Sequence, residues 1–567
     1  MKRKDFGATR THRLQNWSQP VLILGAILAL GGLLASALPS HSQPKAAALT
    51  AAELAKAELF GLEPDTWQDP PEAPRPGPTP IPLVVDYGQN NKVRVGEDGK
   101  LQDVHLRNYN GKLVGPTFRV KPSDTLRLSL LNRLPKPAQP APPMDMDNCG
   151  VHEQLDVTNF HTHGLHISPS GISDDVLREI QPGGPNARPE PYAFAILPAG
   201  NPPGEKPIDH HPGTDWYHAH LHGSTAVQLA SGMAGALIVE GDIDQIPAVA
   251  RAKERIFVFQ QLAFDKDGEI KSIEDLNGNF TGNNPPKTGP KKHTSINGVV
   301  KPLIVMRPGQ VERWRMIDAG VFEVLDLSLR RKDNPSIVVP FHQIALDGIT
   351  LARVKQAGQI ELGPGYRADA LVQAPLTPGI TYELYKSKPS FNLLAFATEQ
   401  ESRLAGKPEI LAEIKVETGT CTAPCSTAML APGTVLPAPF ADIRSTTLPV
   451  KNVTFSFDAG KFKINNECFH HEHVLPEFRL KKGAVEEWHL HNTSGGPHPF
   501  HIHVNPFQML NADGSPGEWR DTIIVPPGGE LRMRTRIERF TGRFVLHCHI
   551  LPHEDRGMMQ LVEVSEP

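Results

Sequence analysis

From about residue 82 onward the chain is built of short runs in which apolar and polar residues alternate: LVVDYG, KVRVGEDG, LQDVHLRNYNG and TLRLSLLNRL. Successive side chains of a strand point to opposite faces, so a period of two gives one dry face and one wet face. Gly, Pro, Asn and Asp punctuate the runs at short intervals, which marks antiparallel strands in a sandwich or barrel. A second block of such segments runs from ERIFVFQQLAF to about residue 418 and includes VERWRMIDAG and ADALVQA. A third runs from VTFSFDAGKFKI to MMQLVEV. No extended helical period interrupts them; GSTAVQLASGMAGA reads as a short helix or a loop. The pattern predicts three β-sandwich blocks, 81–245, 250–420 and 446–567. A linker at 421–445 joins the last two, and PKPAQPAPPMDMDN at 135–148 reads as a surface loop.

Ahead of the strands lies a different texture. A basic start, MKRKDFGATRTHRLQNW, precedes the apolar run VLILGAILALGGLLASAL, with Ala35 and Ala37 forming an A-x-A-like cleavage site. Residues 1–42 therefore read as an export signal, or as an uncleaved anchor, since the run is about the minimum length for a span. KRKDF has no Arg-Arg pair to support a twin-arginine route. Residues 43–80, Ala-rich and then Pro-rich, read as a tether without a packed core. The expected location is periplasmic or extracellular, with or without membrane anchoring, and the expected state is a monomer.

Composition narrows this only a little. A chain of 567 residues suggests roughly three or four domains. The 55 prolines and 48 glycines argue against long helices and long uninterrupted strands. A net charge of −4 leaves no electrostatic footprint for nucleic acid, which is excluded as a partner. Of the five cysteines, Cys548 stands in a metal-like motif. The other four, Cys149, Cys421, Cys425 and Cys468, permit up to two disulfides after export. Cys421 with Cys425 would bridge locally and Cys149 with Cys468 over a long range; three pairings are open.

Histidine placement carries the chemistry. There are four clusters: HTH (His161, His163), HAH (His218, His220), HPFHIH (His498, His501, His503) and HCHILPH (His547, Cys548, His549, His553). Residues i and i+2 of a strand share a face, so each H-x-H aims two imidazoles at one region of space. With 25 histidines in the chain, one such pair is expected by chance. The H-C-H-x3-H-x4-M spacing of HCHILPHEDRGM is not. On a strand, Cys548 points away from His547 and His549. Two imidazoles, a thiolate and a weak axial Met make a blue-copper site. His166, His210, His211 and His222 flank the clusters without being assigned as ligands. CFHHEH (His470, His471, Glu472, His473) is close to a chance pattern and is weighed as an accessory metal site.

These clusters resemble those of the multicopper oxidases, the laccase-like and cuprous oxidase family, over about residues 80–567. GTDWYHAHLHGSTAVQLASGMAGALIVEG, LGPGYRADALVQA, HNTSGGPHPFHIHVNPFQML and GRFVLHCHILPHEDRGMMQLVEV carry the resemblance. It implies an all-β fold of three cupredoxin-like Greek-key β-sandwich domains and four copper ions. By motif position the type 1 copper takes His498, Cys548 and His553 with Met558 axial. The type 2 copper takes His161 and His501. The type 3 pair takes His163, His218, His220, His503, His547 and His549. A trinuclear cluster would then lie between the first and third domains.

The resemblance also implies the reaction. Single electrons taken from a reducing substrate at the type 1 copper pass through Cys548, and four of them reduce O2 to two waters. Glu554 resembles the family's acid near the cluster, and Asp174 or Asp175 resembles a second; buried carboxylates can relay protons there. The substrate would be a phenol, an aromatic amine or a metal ion. A laccase-like oxidase is the first reading, and a metallo-oxidase of Cu(I), Mn(II) or Fe(II) in metal tolerance the alternative. Bacterial cuprous oxidases usually carry a Met-rich segment and an acid just before HPFH. This chain has 11 methionines without a cluster, and NTSGGPHPF has no acid. A non-catalytic cupredoxin-fold protein would be marked by lost ligands, and none is lost.

Overall fold

The strand Thr125–Asn132, TLRLSLLN, buries every second residue, as its pattern predicts. Leu126, Leu128 and Leu130 are fully buried, and each such side chain contributes about 1.5–3 kcal/mol. The computed structural model describes residues 66–567 except 89–90, 96–98, 137–148, 150–153, 198–209, 274, 277–290, 388–407 and 445–446. The export signal or anchor, most of the tether and most of the 135–148 loop lie outside the described residues. No helix among the described residues is long and apolar enough to cross a membrane.

Six main sheets fall into three pairs along the chain, the all-β cupredoxin-like architecture. Each pair repeats one topology. In its first sheet the opening strand lies parallel to a later one: Ile81–Tyr87 beside Thr125–Asn132, Lys253–Phe264 beside Val311–Asp318, and Val450–Asp458 beside Val485–Asn492. In its second sheet the closing strand is flanked by a parallel edge strand and an antiparallel neighbour. Ala234–Val239 lies between Phe118–Val120 and Gly213–His218, and Met559–Ser565 lies between Arg479–Lys481 and Gly542–Cys548. Glu409–Val416 takes that place in the middle pair.

One continuous apolar core, including Phe160, Trp216, Phe500 and Leu546, joins the first and third pairs. The middle pair has its own core around Trp314 and Phe341. The segment GSTAVQLASGMAGA forms a short, wholly buried helix, Thr225–Ala230, ahead of the strand Ala234–Val239.

Two stretches expected to be free connectors are docked instead. From Thr66 the tether bridges to Leu303 and then, at Glu72, to Thr117. Trp67 packs on Phe257 with ring centroids 4.5 Å apart. The described part of the linker, 421–444, runs along the middle block: the Val311 N–H donates to Ser426 O at 2.7 Å and the Val354 N–H to Thr434 O at 2.9 Å. Leu436 and Ile443 are buried. Proline-rich composition prevents helix and ladder, but Trp67, Leu436 and Ile443 still gain by leaving water. The cysteines pair Cys149 with Cys468 and Cys421 with Cys425.

Candidate metal centre

Strand Gly542–Cys548 pairs with strand His498–Ile502 so that Cys548 faces Phe500 and His547 faces His501. Side-chain alternation then sends Cys548 to one face and His547 to the other. Cys548 Sγ lies 3.4 Å from His498 Nδ1 and 3.8 Å from His553 Nδ1, and those two nitrogens are 3.4 Å apart. His553 comes from the short helix Leu551–Glu554. The chain then turns back, and the Cys548 N–H donates to Met558 O at 3.0 Å, with the Met558 side chain fully buried. Burial pushes the Cys548 thiol up and the His498 imidazole down to about 3. The His498 Nε2 lies 2.7 Å from Ser494 Oγ, whose hydroxyl donates to Asn492 Oδ1 at 2.8 Å. Nε2 is therefore the protonated nitrogen, and the Nδ1 lone pair faces the sulfur. The Phe462 ring stacks on His553, which is half-buried, at 4.1 Å.

On the opposite face, eight histidines converge. His161 sits directly across from His218 in the first block, as His501 sits across from His547 in the third. The two arrays meet ring to ring: His161 stacks on His503 at 3.8 Å and His163 on His501 at 3.7 Å. His220 Nε2 is 3.2 Å from both His547 Nε2 and His503 Nε2. The His549 ring centroid lies 5.0 Å from that of His163. All eight rings are buried.

Some of the ring nitrogens are held by neighbouring oxygens and the others are not. His218 Nδ1–H donates to Ala219 O and His501 Nδ1–H to Asp521 O, each at 2.8 Å. His161 Nδ1 lies 3.0 Å from Asp174 Oδ2, and His547 Nδ1 lies 3.0 Å from Glu554 Oε2. Left buried without a hydrogen-bond partner are Nε2 of His161, His218 and His501, Nδ1 of His163, His220 and His503, and both nitrogens of His549. Each such orphan costs about 1–3 kcal/mol. Burial also pushes the rings down, His220 to about 4 and His218 to about 3. At neutral pH the centre is thus a set of converging lone pairs, which a cation would satisfy. Imidazole and thiolate donors fit copper.

The acids divide. Burial works against the Glu554 carboxylate, but His547 and His220 outweigh it and hold it down to about 2. Its oxygens face both rings, 3.0 Å from His547 Nδ1 and 3.5 Å from His220 Nδ1. Burial pushes Asp174 up to about 8, although its Oδ1 accepts the Thr162 N–H at 2.9 Å. Asp175, the other candidate of that pair, turns to the Leu177 N–H at 3.1 Å instead.

Residues 444–567 match the family model described as multicopper oxidase. The third block is thus a multicopper oxidase domain, and the likeness to known multicopper oxidases extends over most of the chain. Over 476 residues it is 25% identical to a multicopper oxidase of Staphylococcus haemolyticus, covering 81% of this chain and 83% of that protein. A laccase of Bacillus subtilis is 24% identical over 521 residues, 82% of this chain and 91% of the other. The solved structure of a multicopper oxidase from Campylobacter jejuni, described as a metallo-oxidase, has the same fold. Its TM-score is 0.63 at 23% identity, with 90% of this chain and 97% of that one covered.

The site also involves residues that the spacing of histidines could not announce. Asp521, Thr522 and Ser494 hold the outer nitrogens of the rings. Asp555 accepts the Gly223 and Ala226 N–H groups at 2.7 and 2.8 Å, tying the turn after His553 to the segment after His220. The flanking His166 donates Nδ1–H to Val504 O at 2.7 Å and receives support from His210, whose Nε2 accepts the His166 N–H. Val504 directly follows His503 and has φ +70°, a strained conformation for a β-branched residue. The one available signal was adjacency: Ser494, Val504, Asp555, His166 and His210 lie within eight residues of a cluster motif, whereas Asp521 and Thr522 lie far from any.

Proposed function

We propose that this oxidase couples one-electron oxidation of a phenolic or similar small reducing substrate at the Cys548 site to four-electron reduction of O2 to two waters at the eight-histidine cluster. The observation that carries this reading is the covalent segment His547–Cys548–His549, whose middle residue faces one site while its neighbours face the other. Bound at these residues, copper supplies one-electron acceptance beside Cys548 and multi-electron reduction of O2 at the cluster. Four ions are proposed: one would be held by His498, Cys548, His553 and Met558, one by His161 and His501, and a pair by the other six rings.

The chain's own contribution is placement and proton handling. Backbone carbonyls, carboxylates and the Thr522 hydroxyl hold one nitrogen of His161, His163, His218, His501 and His547, so the other lone pair is preorganised. Glu554 spans two rings and stands ready to pass protons to the cluster; Asp174 serves the His161 side. Burial keeps bulk water from both sites. The three blocks 81–245, 250–420 and 446–567 are proposed as domains, with the cluster at the seam of the first and third. An exported, periplasmic or extracellular location fits the basic and apolar start of the sequence.

A metal-ion oxidase is the second reading. It is favoured by a cavity of about 570 Å³ whose wall includes His470, Glu472 and His473. The cavity also takes in Lys461 and Lys463, which flank Phe462, the ring stacked on His553. The deciding experiment is oxygen uptake by the purified, copper-loaded protein with a phenol, Cu(I), Mn(II) or Fe(II) under matched conditions. Fast uptake with the phenol alone supports the first reading, and fast uptake with the ions alone the second. No uptake by a protein holding its copper refutes both and points to a non-catalytic cupredoxin-fold protein.

A further inference from the structure

The middle block gives the cluster no imidazole, yet one of its side chains reaches beneath it. Arg367 opens the strand Arg367–Gln373 and is fully buried. Its guanidinium forks onto Asp521 of the third block, Nη1 to Oδ1 at 2.8 Å and Nη2 to Oδ2 at 2.6 Å. The remaining N–H directions go to Thr214 O in the first block at 3.2 Å and to Asp347 O and Gly365 O in its own, at 2.9 and 3.1 Å. Nη2 also lies 3.3 Å from Asp215 Oδ1. One guanidinium therefore touches all three blocks. Its passage requires Gly164, the residue after His163: a Cβ there would fall 2.1 Å from Asp215 Oδ1 and 2.6 Å from Arg367 Nη2.

Asp521 relays this placement to two rings from different blocks. Its carbonyl accepts His501 Nδ1–H at 2.8 Å. Its Oδ1 accepts the Thr522 hydroxyl at 2.8 Å. With its proton committed there, Thr522 Oγ1 is an acceptor for His163 Nε2–H, 3.2 Å away, and Asp521 Oδ1 itself lies 3.5 Å from that nitrogen. His163 is thus set to offer Nδ1 inward, whereas His161, His218 and His501 offer Nε2.

We propose that Arg367 is a positioning residue: through its bidentate grip on Asp521 it fixes the tautomer of His163 and the spacing between the first-block and third-block imidazoles. The inference rests on the copper-cluster reading above. A Lys at this position keeps the charge but cannot make the planar fork.

The test uses the full-length, copper-loaded chain and the variants Arg367→Lys and Asp521→Asn. Three properties are read: copper bound per chain against a graded chelator, the electron paramagnetic resonance of cluster copper beside the blue absorption of the Cys548 site, and the melting of the metal-free protein. The expected result is about 10–100-fold weaker copper retention at the cluster, an altered cluster resonance and an unchanged blue absorption. Wild-type affinity and resonance in the variants, with only a lower melting temperature, would make Arg367 a packing residue and overturn the proposal. If Arg367→Lys does not fold, the near-isosteric Asp521→Asn decides alone. A wild-type chain that takes up no copper refutes the functional reading instead, and this inference with it.

Discussion

Cys548 is where two requirements meet in one side chain. As the proposed copper ligand it would be a thiolate, yet burial pushes its thiol up, so metal binding and loss of the proton would go together. Cys548→Ser is expected to abolish both the blue absorption and oxygen uptake. The cost in stability should be about 1 kcal/mol, because the hydroxyl keeps the His498 and His553 Nδ1 atoms beside it as acceptors, leaving a folded protein by circular dichroism. A blue, active variant would refute the ligand assignment. The meeting of Cys548 with His498 and His553 was expected from HCHILPHEDRGM because the spacing is specific. The roles of Ser494 and Asp521 were not: a lone Ser or Asp near a motif is common, and only a carbonyl or hydroxyl at hydrogen-bond distance distinguishes it.

At the scale of elements, strand alternation explains why the cysteine and its two neighbouring histidines serve different sites, and that followed from the sequence. What alternation could not give was which strands lie side by side. The pairing of His161 with His218, and of His501 with His547, comes from strands more than forty residues apart. The loop ahead of Arg367 shows the same limit. Gly365 has φ +89°, and a Cβ there would stand 2.9–3.0 Å from His549 ring atoms. Gly365→Ala therefore combines backbone strain of about 1 kcal/mol or more with displacement of one ring. The expected outcome is partial loss of cluster copper with the blue absorption retained, checked by metal analysis and absorption on the same sample. Full copper occupancy would show that the loop yields without moving His549.

For the molecule as a whole, the metal-free state should be acid-sensitive. Burial lowers the imidazoles in the folded chain, His218 and His498 to about 3 and His220 to about 4, whereas unfolded imidazoles titrate near 6.5. Between those values the unfolded chain binds more protons, so stability is lost as pH falls below about 6.5. Buried acids oppose this: Asp174, raised to about 8, and Asp215, raised to about 7, favour the folded state more at low pH than at high. The lowered imidazoles outnumber them. The melting temperature of the metal-free protein is expected to drop as pH goes from 7 to 5, read by calorimetry. A flat or rising profile would mean the rings are hydrated rather than buried.

The sequence by itself determined the all-β class, and it singled out three candidate blocks and a set of candidate metal ligands, because strand periodicity and metal-ligand spacing are local properties of a chain. It also set Cys548 apart from its neighbours. Tertiary structure decided which donors converge, which nitrogen of each ring faces inward, that Asp174 and not Asp175 meets His161, and that the 66–80 and 421–444 stretches dock rather than swing free. Those outcomes depend on contacts between residues hundreds of positions apart, such as Arg367 with Asp521 or His161 with His503. No spacing along the chain encodes them, because burial and hydrogen bonding act on distances in space.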